Sequence, residues 1–93
     1  MNVRELEEYV SHIVCGLVDS PNSVLVKATE LNARFIVELE TASNDVGQVI
    51  GTKGFVVGAI RSLLSAYGGK NKCKVELDYV TERQKREAQK RRS

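Results

Sequence analysis

The residues of this 93-residue chain best suited to chemistry are Gly51-Thr52-Lys53-Gly54. Two glycines three apart, with a hydroxyl and an ammonium between them, let the backbone turn without Cβ clashes and approach a ligand closely. A helical pattern follows, so the free N–H groups and positive dipole end of a helix face the loop. That combination suits a phosphate. The nucleotide-cofactor versions of such a loop do not fit. Only three residues separate Gly47 from Gly51, Lys53 is followed by Gly54 instead of Ser or Thr, and a helical pattern precedes, which excludes a P-loop. Val49 stands where a dinucleotide fingerprint requires its first glycine, and no strand enters the loop.

Other reactive side chains form no supporting pattern. Cys15 and Cys73 are too few for a disulfide framework and have no clustered Cys or His beside them for a metal, so reduced thiols and no metal or cofactor are expected. His12 lies off the apolar stripe of its segment, without a serine, cysteine or acid in catalytic spacing. The carboxylates fall on solvent faces. The expectation is a protein that is not an enzyme.

The elements that must hold the loop follow from periodicity. Leu6, Val10, Ile13, Val14 and Leu17 recur at helical spacing, predicting a helix over about 3–18 that Asp19-Ser20-Pro21-Asn22 ends. Alternation of Val24, Val26 and Ala28, then of Phe35, Val37 and Leu39, predicts strands over about 23–30 and 34–41. Leu31-Asn32-Ala33 between them suits a tight antiparallel hairpin, with Asn32 left-handed. Ser43 or Asn44 is the expected cap of a short helix carrying Val46, Val49 and Ile50. Past the loop, Val56, Ile60, Leu63, Leu64 and Tyr67 predict a helix over about 54–67, with Gly68-Gly69 as a left-handed stop. Cys73, Val75, Leu77 and Tyr79 then alternate as a third strand, parallel to an earlier one through a right-handed crossover. The predicted architecture is α+β, in the order α-β-β-α-α-β, with three helices on one face of a mixed three-stranded sheet.

Length and a 42% hydrophobic content suit one domain, residues 1–80, followed by a basic, disordered tail, 81–93. No apolar run approaches the roughly 18 residues of a membrane span, and the N-terminus lacks a signal-peptide core, so a cytoplasmic protein is expected. Charge is uneven. The first 45 residues hold three bases against eight acids, whereas residues 46–75 hold Lys53, Arg61, Lys70, Lys72 and Lys74 and no acid. Positive charge gathered around and after the glycine loop is the footprint of a site for a polyanion.

Val49-Ile50-Gly51-Thr52-Lys53-Gly54, followed by Val57 and Ile60 and set between two helices, resembles the K-homology (KH) pattern, whose G-x-x-G loop clamps the backbone of about four nucleotides. Residues 1–80 in this element order resemble the small bacterial single-KH-domain RNA-binding proteins of the KhpA type, with type II KH topology. The resemblance makes Gly51, Thr52, Lys53 and Gly54 the backbone-contacting loop. It gives Val46, Val49, Ile50 and Val57 an apolar groove beside it, and the second strand, at Ile36 or its neighbours, the opposite wall. Phe55, as a stacking ring or a protein-contact anchor, and Arg61, in the acid-free stretch, complete the candidate RNA-contacting set. Thr52, Phe55 and Gly58 stand where the family often carries bases. The implied function is low-specificity binding of single-stranded RNA, as an RNA chaperone or post-transcriptional regulator tied by family analogy to cell envelope growth and cell shape. The implied partners are a homodimer mate and a larger multidomain KH protein. The alternative is a KH-fold protein-interaction or dimerisation module with weak or lost RNA binding.

Overall fold

Asn2 starts the first element: its side-chain oxygen accepts the Glu5 amide at 2.8 Å, capping helix α1, Val3–Cys15. The computed structural model, which describes residues 2–80, places Leu6, Val10 and Val14 of that helix in the core. The helix is shorter than its apolar stripe predicts. Gly16, a poor helix former, takes the C-cap, the Leu17 amide closes a tighter turn on the Val14 carbonyl, and Leu17 itself is exposed.

Strands β1, Leu25–Leu31, and β2, Arg34–Glu40, pair antiparallel with Leu31 opposite Arg34. The two residues between them turn through Asn32 at φ 59°, the left-handed conformation expected of it. Strand β3, Lys74–Tyr79, lies parallel to β2, so the sheet order is β1-β2-β3 with β2 central. One face, from Ala28 through Phe35, Val37, Leu39, Val75, Leu77 and Tyr79, is buried under the helices. The other carries Lys27, Glu38, Lys74, Glu76 and Asp78. The free edge of β1 is closed at its middle by Glu7 of α1, whose carboxylate accepts the Ala28 amide at 2.9 Å.

Helices α2, Val46–Ile50, and α3, Phe55–Lys70, form the crossover between β2 and β3. The expected cap at Ser43 or Asn44 is not made. Those residues open a 3₁₀ turn, and Asp45 takes the N-cap position of α2 with its side chain directed elsewhere. Its fully buried carboxylate accepts the amides of Asp19 and Ser20 at 3.0 and 3.1 Å, tying the α1–β1 connection to the start of α2. The predicted stop at Gly68-Gly69 is also replaced: α3 runs through both glycines, and Lys72, at φ 57°, makes the left-handed turn. Gly68 is needed for contact instead. A Cβ there would lie 2.7 Å from the Cys73 carbonyl oxygen and 2.9 Å from Val75 Cγ2, so the missing side chain lets α3 close onto β3. Among the described residues no single helix is long and apolar enough to cross a membrane; α2 with α3 matches a broken span by composition, bent by 51°, but Val49, Val57, Ile60 and Leu64 bury into the core. The tail expected over 81–93 lies outside the described residues.

Candidate nucleic-acid interface

The loop joining α2 to α3 is built from three departures from helical backbone within four residues. Gly51 adopts φ 75°, ψ 175°, a region open in practice to glycine alone, while Lys53 (φ 56°, ψ 26°) and Gly54 (φ 77°, ψ 16°) are left-handed. The two glycines serve different ends. A Cβ on Gly51 would overlap the Val56 side chain and sit 2.9 Å from the Val56 nitrogen, whereas one on Gly54 would meet nothing within 4 Å. Gly51 thus lets the chain pass under the start of α3. Gly54 leaves open space on the surface where a ligand backbone would approach.

Two of the loop's four amides, and that of the residue after it, are already committed. Gly51 N–H donates to the Gly47 carbonyl at 2.9 Å, Gly54 N–H to the Gly51 carbonyl at 3.2 Å, and Phe55 N–H to the Thr52 carbonyl. Among the described residues the Thr52 and Lys53 amides have no such acceptor, so two N–H groups and one ammonium form the exposed cradle. α3 begins here without a side-chain cap, and its positive dipole end adds to the same place.

The apolar residues expected beside the loop divide between core and surface. Val49 is fully buried and Val57 is 8% exposed; both belong to the hydrophobic core, closed to a ligand, and hold the two helices in place. Val46 and Ile50 are half-buried at the core's margin. Phe55 is 79% exposed at the first position of α3. Ile36 cannot form an opposite wall. It alternates with the buried Phe35 and Val37, so it lies on the sheet face turned away from the helices, paired with Thr29 and Glu76. The structure therefore brings together Ile50, Gly51, Thr52, Lys53, Gly54 and Phe55, and leaves Val49 and Val57 beneath them.

The cations are spread along α3. Arg61 is exposed at mid-helix, and Lys70 and Lys72 mark its far end, about 22 Å from the loop at 1.5 Å per residue. Among the described residues Lys53, Arg61, Lys70 and Lys72 make no ion pair. Lys74 points to Glu76 at 3.8 Å, and both oxygens of the same carboxylate accept from Arg34 Nη2 at 2.6 Å. The Arg34 hydrogen bond, helped by the charges of both bases, holds the Glu76 carboxyl below its ordinary range against a smaller opposing desolvation. Between Lys53 and Lys70 the outer side of α3 is otherwise uncharged. Gly54, Phe55, Gly58, Ala59, Ser62 and Leu63 line a shallow, mostly apolar groove of about 700 Å³. Asp45 is the residue that sequence reasoning passed over. Its one signal is an acid immediately before the apolar Val46, which reads as an ordinary cap.

Comparison with known proteins finds relatives over most of the chain. The family described as KhpA/KhpB, KH domain, matches residues 7–78. The chain is 36% identical over 78 residues to the RNA-binding protein KhpA of Chlamydia trachomatis, covering 84% of this chain and 100% of that protein. It is 36% identical over 75 residues to the KhpA of Listeria monocytogenes, covering 81% and 99% respectively. The KhpA of Streptomyces coelicolor is 37% identical over 75 residues, covering 81% of this chain and 91% of its own length.

Proposed function

The chain belongs to the KhpA/KhpB KH-domain family, and from that premise we propose that it is a non-catalytic, cytoplasmic protein that binds single-stranded RNA with little sequence specificity. The observation that carries this reading is the cradle itself: the free amides of Thr52 and Lys53, the Lys53 ammonium and the open space at Gly54, all at the N-terminal end of α3. Phosphates of the strand accept from the two amides and pair with Lys53. The backbone passes over Gly54, where no Cβ intrudes, and one base rests against Ile50 or the exposed ring of Phe55. Arg61 lies one or two nucleotides further along. Val49 and Val57 act from below, by fixing the helices that carry the loop. Nothing in this arrangement reads base edges through a fixed side-chain pattern, which fits low specificity.

One cation and two amides make a weak site. Useful binding calls for avidity, through self-association or through a larger multidomain KH protein. The family analogy further supports an RNA chaperone or post-transcriptional role connected with cell envelope growth and cell shape. The functional unit is taken as residues 1–80, with 81–93 as a basic arm.

A gel shift on single-stranded RNA comparing the wild type with Thr52→Asp/Lys53→Asp tests the cradle. Both positions are exposed, and aspartate tolerates the left-handed backbone of residue 53, so the variant keeps its fold. Loss of at least tenfold in affinity is expected, and equal binding by both proteins refutes the cradle. A parallel titration with DNA of the same sequence separates RNA from single-stranded nucleic acid in general. The second reading, a KH-fold interaction module that has lost RNA, draws on the exposure of Phe55 and Leu63 in the α3 groove. It predicts a stable protein complex through that groove and no RNA binding by the wild type.

A further inference from the structure

The outer side of α3 is unlike the rest of the described surface. Phe55, Ser62 and Gly69 stand seven residues apart on one stripe, flanked by Gly58, Ala59 and Ala66, and every one of them is exposed. A Cβ added to Gly58 or Gly69 would meet nothing within 4 Å, so these glycines are open hollows. The stripe therefore has a bulky ring, 79% exposed, at one end and bare backbone at the other. Such a surface is complementary to a second copy of itself, but in one orientation only. Packed parallel, two rings collide at one end and two hollows face each other at the other. Packed antiparallel about a two-fold axis at Ser62, Phe55 of each copy fills the hollow at Gly69 of the other, and the small residues between let the helices approach.

The same operation decides what meets the loop. An axis at Ser62 brings residue 70 of one copy beside residue 54 of the other. Lys70 and Lys72 are exposed and make no ion pair among the described residues. In their own chain they lie a helix length from the cradle; in the pair they flank the cradle of the other copy. We propose that the RNA cradle is completed in trans, with Lys53, Thr52 and Gly54 from one chain and Lys70 and Lys72 from a second copy. The inference rests on the RNA-binding reading above and adds where the missing cations come from. It also implies coupling. Three lysines brought together without an anion repel, and a phosphate between them reverses the sign, so RNA favours the pair and the pair favours RNA by the same factor.

The test is complementation between two damaged proteins, Lys53→Asn and Lys70→Gln/Lys72→Gln, whose neutral substitutions favour neither like nor mixed pairs, titrated onto a labelled single-stranded RNA alone and as an equal mixture. Each variant alone is expected to lose at least tenfold in affinity. In the mixture, random pairing puts an intact composite site at about one quarter of all positions, restoring that fraction of wild-type binding. A mixture that behaves as the average of its parts overturns the composite site. Salt dependence gives a second measure: a log–log slope near −2.8 is expected for four phosphates neutralised by Lys53, Arg61 and the two lysines of the second copy, against about −1.4 for Lys53 and Arg61 alone, and the lower slope in the wild type refutes the proposal. Ser62→Arg, placing two like charges on the axis, is expected to sediment as a monomer with RNA present and to bind as weakly as Lys70→Gln/Lys72→Gln; wild-type affinity in that variant also refutes it. Indifference of RNA binding to Lys53→Asn, by contrast, removes the cradle reading itself.

Discussion

Replacing the two loop glycines one at a time separates what the fold needs from what a ligand needs. Gly54→Ala places a Cβ in open space, so its cost is conformational alone, about 1–2 kcal/mol for a left-handed alanine. Gly51→Ala meets two penalties. Its φ of 75° with ψ of 175° costs an L-residue about 1–3 kcal/mol, and the new Cβ overlaps Val56 in the first turn of α3, whose backbone nitrogen stands 2.9 Å away. Relieving that overlap means moving α3, which Ile60, Leu64 and Gly68 lock against the sheet. We expect a total of about 3–5 kcal/mol, a large share of the roughly 5–14 kcal/mol available to a domain of this length. Urea denaturation followed by circular dichroism reads both values. In RNA binding the order reverses for folded protein: Gly54→Ala keeps most of its stability and loses affinity, because its methyl group occupies the path of the strand. Equal destabilisation by the two substitutions refutes the division of labour between the glycines, and unchanged affinity in Gly54→Ala refutes a close backbone approach there.

Asp45→Ala removes a fully buried carboxylate that accepts two part-buried amides, so a loss of about 1–3 kcal/mol is expected in the same assay; Asp45→Asn keeps one acceptor oxygen, turns the other into a donor facing an amide, and recovers less than half of that. Glu7→Ala frees the Ala28 amide at the middle of an edge strand that also exposes Leu25 and Leu31, and concentration-dependent association by light scattering is expected, with Glu7→Gln remaining dispersed because its carbonyl still accepts. Glu76, whose carboxyl is held low by Arg34, stabilises the fold above the carboxylate range, and that contribution fades as pH falls through its lowered folded value. The pair is more than a third exposed, so Arg34→Ala is expected to flatten the acid limb of the pH–stability curve only slightly.

Periodicity alone places all six main elements, because each one buries a single face: Leu6, Val10 and Val14 on a helix, Phe35, Val37 and Leu39 on a strand. Their ends are harder to read. Helix α1 stops short of Leu17 because Gly16, a poor helix former, follows Cys15, whereas α3 passes through two glycines because close approach to β3 overrides their low propensity. At Gly68 the deciding fact is the Cys73 carbonyl, a neighbour only the folded chain supplies. Asp45 shows the same limit. An acid before a helix looks like a cap from either side, and its true partners, the Asp19 and Ser20 amides, are more than twenty residues away in the chain. The candidate loop is legible because its demands are local: a glycine for an L-forbidden backbone, a lysine beside it, helices on both sides. The groove beside it is not. Val49, Val57 and Ile36 are apolar in sequence whether they face solvent, helix or the far side of the sheet, and only the tertiary arrangement sorts them.

That sorting bears on how the loop can work. With Val49 and Val57 in the core and Ile36 behind the sheet, a strand lying at the loop would have a floor but no second wall among the described residues of one copy. Specific readout needs both, because a base must be held on two sides before its edge hydrogen bonds can discriminate. On the proposed reading, the described residues of a single copy offer contact to phosphate and to one or two base faces. Any second wall has to come from outside the described residues. The outer side of α3, apolar, uncharged at its centre and ending in lysines, is the surface that a second copy can bring into that position.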